Sequence, residues 1–347
     1  MSAPSSNFAY VSILGFERSA NAERTPISVN LDASQRAVLA LGDRQSASVL
    51  GAPGTGKTTT IVELVADRVQ NRGWSPDELV VLTPSRASAT GLRDRLALRL
   101  GQPTLGPMAR TVNSLAFEIV RNAAALVGAE PPQLLTGAEQ DQILADLLQG
   151  EIEDETDEYW PPELGRDIRR LRGFRTELRD LMARSVEYGV LPTKLATIGG
   201  RSKRPEWVAA ARFIGIYDVV KASYRGRFFD STELVHEAAV LLDRADAPTI
   251  RLRLVVLDDA QESTEATLVL VRALAAKGVT ILAVGDPDIT TGAFRGAIPD
   301  VLGRLAQRVG IDAPQALYLD ELHRHAGEIR VVTSTAAARI GAAGAGR

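Results

Sequence analysis

Four short aliphatic runs stand out along the chain, and none of them alternates with polar positions. They cover residues 47–50, 79–82, 252–257 and 280–284. An unbroken apolar run of this length followed by a polar turn is the pattern of a strand buried on both faces, as in a parallel sheet. Between these runs the apolar positions recur every three or four residues, which predicts helices over 58–70, 87–100 and 264–276. The alternation predicts an α/β fold, a doubly wound parallel sheet with helices on both faces.

From about residue 118 to 235 the strand-like runs vanish. Amphipathic helical patterns take their place over 137–148, 167–187, 206–223 and 231–242. This predicts an all-helical subdomain, 118–235, inserted into an α/β lobe made of 31–117 and 236–325. An N-terminal extension (1–30) precedes the lobe. The Ala/Gly-rich end, 326–347, reads as a linker or the start of a truncated second lobe. Within the insertion, the acidic stretch 151–158 reads as a solvated loop, since like charges repel. The Gly/basic stretch 199–205 is expected to separate two helices. Arg166, Arg169, Arg170, Arg172, Arg175 and Arg179 can be read in two ways. They form either a solvent face paired with Asp167, Glu177 and Asp180, or a contact for a phosphate backbone.

Composition narrows the chemistry. A length of 347 residues allows two domains or one domain with a large insertion. The 45% hydrophobic and 24% charged content is an ordinary globular balance. A net charge of −3 supplies no global positive field, so any contact with nucleic acid must come from a local patch. The absence of cysteine excludes disulfides and thiolate catalysis, and three histidines (His236, His323, His325) argue against zinc. No run reaches the ~18 apolar residues of a membrane helix. The apolar stretch 8–16 lacks a cationic flank and is broken by Ser12 and Gly15. A cytoplasmic protein without a membrane partner is therefore expected.

Gly51-Ala52-Pro53-Gly54-Thr55-Gly56-Lys57-Thr58 fits G-x-x-x-x-G-K-[ST] in full, between the first predicted strand and the first predicted helix. The glycines let successive N–H groups turn inward around phosphate oxygens, and the helix N-terminus adds partial positive charge. Lys57 would reach the β- and γ-phosphates, and the Thr58 hydroxyl would ligate magnesium, with Thr59 beside it. ATP and Mg2+ are thus the expected cofactors. A second strand should end in a carboxylate that holds the metal, and Leu254-Val255-Val256-Leu257-Asp258-Asp259 meets that need. Asp258 is the metal-shell candidate, acting through water, and Asp259 the candidate base that orients the attacking water.

In order and spacing these and further segments resemble superfamily 1A DNA helicases of the UvrD/Rep and RecB type, over about residues 32–330. Asp32-Ala33-Ser34-Gln35 is similar to that family's Q motif, which gives Gln35 the role of reading adenine. Val81-Leu82-Thr83-Pro84-Ser85-Arg86-Ala87-Ser88 and Thr111-Val112-Asn113-Ser114-Leu115-Ala116-Phe117 are similar to segments that touch single-stranded DNA. The resemblance therefore implies DNA contacts at Ser85, Arg86, Thr111 and Asn113. Asp258-Asp259-Ala260-Gln261-Glu262 is similar to D-E-x-Q-D, and Gly285-Asp286-Pro287-Asp288 with Phe294-Arg295-Gly296-Ala297 to the motif after it. Phe294 stands where an aromatic stacks on a base, although a core role for it is also open. His323-Arg324-His325 resembles N-Y-R-S, whose arginine points at the γ-phosphate, so Arg324 joins the implied catalytic set. Phe228-Phe229-Asp230 resembles the return into the first motor lobe. The wording around Gln140-Asp141 and Asp259-Ala260-Gln261 is most similar to the actinobacterial AdnA/AdnB-type helicase-nuclease subunits.

The resemblance implies a RecA-like first lobe of a motor that moves on DNA in repair or recombination, with a RecB-like partner subunit. It also implies a second lobe and a nuclease module beyond this chain, and weak activity for this portion alone. The departures concentrate on coupling and DNA contact. Ile289 replaces a glutamine that links γ-phosphate state to DNA, and Gly292 replaces a stacking tyrosine worth ~1–3 kcal/mol per base. Asp259 replaces glutamate, Asn113 replaces histidine, and Ser85 and Arg86 replace asparagine and lysine. The other reading is a degenerate helicase-like adaptor that uses its nucleotide site as a structural strut or switch.

Overall fold

A computed structural model of the protein describes residues 29–101, 106–224, 226–244, 250–292, 296–312 and 314–323, and the described residues from Leu31 to His323 belong to one compact unit. Its centre is a six-stranded sheet built from β1 (Ala47–Gly51), β2 (Leu79–Leu82), β3 (Ala109–Arg110), β6 (Leu254–Leu257), β7 (Thr280–Gly285) and β8 (Gln315–Leu319). The order is β3-β2-β6-β7-β1-β8 and every pairing is parallel.

The unbroken apolar runs have a direct structural cause. Successive side chains of a strand point to opposite faces, so a strand covered on both sides is apolar at nearly every position, with Ser48 and Thr280 the buried polar residues in β1 and β7. Ala47, Val49, Leu79, Val81, Leu254, Val256, Leu282 and Val284 face one core, under α1 (Ala33–Leu39), α2 (Lys57–Ala66) and α3 (Arg86–Leu100). Val80, Leu82, Val255, Leu257, Ile281 and Ala283 face the other. That core is covered by α4 (Val112–Leu126), α10 (Ser231–Asp243), α11 (Glu265–Ala276) and α12 (Leu305–Val309). The predicted α/β sheet with helices on both faces is the observed one.

A third apolar cluster stands apart from the sheet. Trp160 sits in it with residues of α5 (Gly137–Glu153), α7 (Arg172–Glu187), α8 (Pro192–Arg201) and α9 (Pro205–Ser223). The strand-free reading of 118–235 is corrected here, because β4 (Pro132–Leu134) and β5 (Arg227–Phe229) pair in parallel as a short ribbon. Three residues each, one of them proline, give too short a period for a sequence signal.

The acidic stretch 151–158 is also not a solvated loop throughout. Glu151 ends up buried, accepting from the Tyr159 hydroxyl and from Trp160 Nε1 at 3.2 Å. Asp157 is buried between Arg166 Nε at 3.0 Å and Arg169 Nη2 at 2.5 Å. The predicted helix 167–187 splits into α6 (Arg166–Arg169) and α7, with Leu171 extended between them. The split lets Arg166 and Arg169 turn back to Asp157 while Arg175 pairs with Asp141 on α5 at 3.1 Å. The expected pairing with Asp167, Glu177 and Asp180 along one solvent face is not what forms: Arg166 and Arg169 pair with Asp157, Arg175 with Asp141, and Arg179 donates to Gln140, all across elements, with Arg169 buried.

Stretch 199–205 does not lie wholly between helices, because α8 runs on to Arg201. A Cβ at Gly199 would stand 3.0 Å from both the Arg204 carbonyl and Trp207 Cβ, so its glycine lets α8 pack closely on α9. The predicted helix 58–70 ends in a π turn, Asp67–Asn71. That widened turn aims Arg68 and Arg72 at the Leu39 and Leu41 carbonyls, the C-terminal end of α1. Helices α1 and α2, which carry Gln35 and Lys57, are thereby clamped together. No helix among the described residues is long and apolar enough to cross a membrane.

Candidate active site

The phosphate loop leaves the C-terminal end of β1 and turns directly into α2. Two glycines make the turn possible. Gly54 (φ +92°) and Gly56 (φ +84°) adopt left-handed conformations that cost a residue with a Cβ roughly 1–2 kcal/mol. Space decides the rest. A Cβ on Gly51 would lie 2.5 Å from Thr55 Oγ1, and one on Gly56 would lie 2.4 Å from Gln35 Nε2. Thr55 is buried and its hydroxyl donates to the Ala52 carbonyl at 2.9 Å, while Thr60 donates to Gly56 O at 3.0 Å. Lys57 folds back over the loop, its ammonium donating to Gly51 O at 2.7 Å and Ala52 O at 3.1 Å. Ala52 and Pro53 form the exposed crest, and Lys57, Thr58 and Thr59 are half-buried.

Gln35 packs against this loop. It is 2% exposed, and its carboxamide oxygen accepts from the Asp32 backbone N–H at 3.1 Å while Asp32 Oδ1 accepts from Gln35 N–H at 2.8 Å. This reciprocal capping box starts α1. It fixes the rotamer that aims Gln35 Nε2 at Gly56. His323, just beyond β8, joins the same corner. Its N–H donates to Gly54 O at 2.9 Å and its Nε2 lies 2.8 Å from Asp32 Oδ2. Arg324, expected to point at the γ-phosphate, lies outside the described residues, as does Phe294.

The acidic pair closes β6. The backbone of Asp258 is held by its N–H to Leu82 O at 2.9 Å. Burial, together with the neighbouring Asp259 charge, pushes the Asp258 carboxyl up to about 6, against an opposing pull from Lys57. Asp259 takes a left-handed backbone (φ +51°), uncommon for a residue with a side chain. Strand β7 lies between β1 and β6. Its end therefore brings a third carboxylate, Asp286, between the loop and the acidic pair. Asp286 is buried and its carboxyl is raised, chiefly by burial, with Lys57 again opposing. Asp286 was not among the residues singled out for chemistry, although the G-D-x-D wording contains it.

The Asp258 carboxyl is raised despite the nearby Lys57, and a divalent cation bound beside it would favour its charged form. The glycine cradle that a Cβ would fill, the lysine and the carboxylates fit a Mg2+-triphosphate. Gly51 to Thr58 would hold the phosphates, and Thr58 with Asp258 would hold the metal. The ion's chemistry there is charge neutralisation at the phosphoryl group.

Beside the acidic pair opens a cleft of ≈ 1000 Å³. It brings Ser85, Arg86, Thr111 and Asn113 together with Asp258 and Asp259, so four of the five residues expected at DNA share one surface with the site of chemistry. Helices α3 and α4 both start there, capped by the Ser85 hydroxyl on Ser88 N–H (3.0 Å) and by Thr111 on Ser114 N–H (3.4 Å). The α3/α4 side of the cleft carries two helix N-termini with Arg86, Arg93 and Arg110, and the opposite side carries Asp258, Asp259 and Glu262, so positive and negative groups face each other across it.

Comparison with known proteins agrees with this geometry. Residues 31–309 match the model of the UvrD/REP helicase N-terminal domain. The chain is similar to the ATP-dependent DNA helicase Rep of Salmonella typhimurium, at 25% identity over 287 residues, covering 81% of this chain and 39% of the relative. It is 25% identical to Rep of Escherichia coli over 290 residues, with the same coverage. It is 23% identical to the ATP-dependent DNA helicase UvrD1 of Mycobacterium tuberculosis (strain H37Rv) over 262 residues, covering 72% of this chain and 32% of the relative. The chain thus spans about two-fifths or less of the length of these relatives. On the match across 31–309, the chain belongs to the UvrD/REP helicase N-terminal domain family.

Proposed function

We propose that this chain is the ATP-binding first motor lobe of a DNA helicase, coupling ATP hydrolysis to movement on single-stranded DNA. The observation that carries the reading is the shared position of Asp258 and Asp259. Asp258 feels the charge of Lys57, and both carboxylates line the cleft formed with Ser85, Arg86, Thr111 and Asn113. Hydrolysis at one edge and strand binding at the other would then act on the same turn. In this reading Lys57 neutralises phosphate charge, Thr58 and Asp258 hold magnesium, Asp259 orients the attacking water, Gln35 reads the base and Arg324 completes the γ-phosphate contacts. The helical insertion is taken as α5 to α9, narrower than 118–235, because α4 and α10 pack into the sheet core. A role in DNA repair or recombination and a RecB-like partner subunit extend the proposal. That extension comes from the AdnA/AdnB-like wording, of which Gln140 and Asp141 accept from Arg179 and Arg175 within the helical subdomain.

The test is phosphate release with and without single-stranded DNA, in the full protein and in its Lys57→Ala variant. DNA is expected to stimulate turnover, and the substitution to lower it by at least about a hundredfold. Turnover indifferent to both refutes the reading. Nucleotide binding without DNA-stimulated turnover favours a helicase-like adaptor instead, the reading that Gly292 and the exposed, apolar Ile289 support.

A further inference from the structure

The loop after β7 is gripped by two neighbouring side chains of the acidic turn. Gln261, 5% exposed, accepts from Asp286 N–H at 3.0 Å through Oε1, and its Nε2 lies 3.4 Å from Asp259 Oδ1. The fit is tight, because a Cβ on Gly285 would stand 2.2 Å from that same Oε1. Glu262 takes the far end. Its Oε1 accepts from Thr291 N–H at 2.6 Å and from the Thr291 hydroxyl at 3.1 Å, and its Oε2 accepts from Gly292 N–H at 2.8 Å. Three donors converge on one carboxylate, and charge-assisted bonds of this kind are about twice as strong as neutral ones.

Position 292 completes the arrangement. A Cβ there would lie 2.4 Å from Glu262 Oε2 and 3.2 Å from Ala297 Cβ. The carboxylate therefore occupies the space that any larger residue would need. The loop closes behind the clasp, with Ala297 N–H on Gly292 O at 3.1 Å and Ile298 N–H on Ser263 O at 2.8 Å. Ile289, by contrast, is exposed and has no polar side-chain atom to contribute.

We propose that Glu262 is the positioning residue that couples the nucleotide site to the loop 286–298, through its carboxylate clasp on Thr291 and Gly292. Glu262 follows Asp258 and Asp259 on one short turn whose left-handed first residue leaves little slack. A shift of the acidic pair with nucleotide state therefore moves both grips, Gln261 at the loop's entry and Glu262 at its tip. Gly292 is the partner that makes room. This inference rests on the DNA-motor reading above, and it replaces coupling through residue 289 with coupling through residue 262.

Two measurements test it. The first is amide hydrogen exchange over 286–298 in the chain itself. Glu262→Gln turns one acceptor into an NH2 that faces a donor, so exchange there should quicken by about tenfold or more. The second is the ratio of DNA-stimulated to basal ATP turnover in the full protein. That ratio should fall roughly five- to tenfold in Glu262→Gln and in Gly292→Ala. The double variant Glu262→Asp/Gly292→Ala, whose shorter carboxylate retreats from the added methyl, should recover much of the ratio lost in Gly292→Ala alone. A merely structural role gives no such rescue, so its absence overturns the proposal. Unchanged exchange in Glu262→Gln overturns the clasp itself. Stimulated wild type with unaffected variants defeats the coupling and leaves the motor reading standing, whereas an unstimulated wild type defeats both.

Discussion

Asp258 carries a cost when no cation is near it. Moving a carboxyl from 3.8 to about 6 corresponds to as much as roughly 3 kcal/mol against its charged form. A raised value means that the native state is favoured most below the ordinary carboxylate range and loses that advantage as pH rises through about 6. At pH 7.5 with a chelator, Asp258→Asn should therefore melt a few degrees above the wild type while hydrolysing no ATP. Equal or lower melting would show that the burial is already compensated by other groups. At this scale the sequence spoke clearly for Lys57, Thr58, Asp258 and Asp259, because a rigid phosphate geometry dictates both residue type and spacing. It placed Gln261, Glu262 and Asp286 within motif wording but gave them no role. Their importance lies in backbone amides 25 to 30 residues away, and no local pattern encodes a bond of that span.

Among the elements, the strands buried on both faces were legible and the edge pieces were not. β2 was read to the residue, since four consecutive aliphatics admit little else. β8 carries the run Ala316-Leu317-Tyr318-Leu319, which was not singled out; at the edge of the sheet its pattern is exposed, exposed, half-buried, exposed, buried. The acidic stretch was misread because charge repulsion in sequence says nothing of arginines brought in by folding. Asp157 shows the consequence. The Arg166 and Arg169 guanidiniums beside it hold its carboxyl down at about 2. A lowered value stabilises the fold above the ordinary carboxylate pKa, and that contribution is lost as pH falls from about 4 through about 2. Asp157→Ala would leave Arg169, 3% exposed, without its carboxylate partner, at a cost of about 3 kcal/mol. Urea unfolding at pH 7 and pH 3 should show the penalty shrinking at the lower pH. A penalty equal at both would mean that the pair contributes only packing.

Over the whole molecule, two cores on either face of one parallel sheet fix where its strand ends lie. β1, β7 and β6 run side by side, and the phosphate loop, Asp286 and the acidic pair follow their C-terminal ends in that order. Open α/β sheets bind ligands at that edge. The account stands on one consequence of this arrangement, a magnesium-bound triphosphate lodged at the start of α2. Calorimetric titration with a non-hydrolysable ATP analogue tests it most directly. One analogue should bind per chain, at least about tenfold more tightly with Mg2+ than with chelator, and Lys57→Ala should abolish the binding. Binding that ignores both the metal and that substitution would contradict the account.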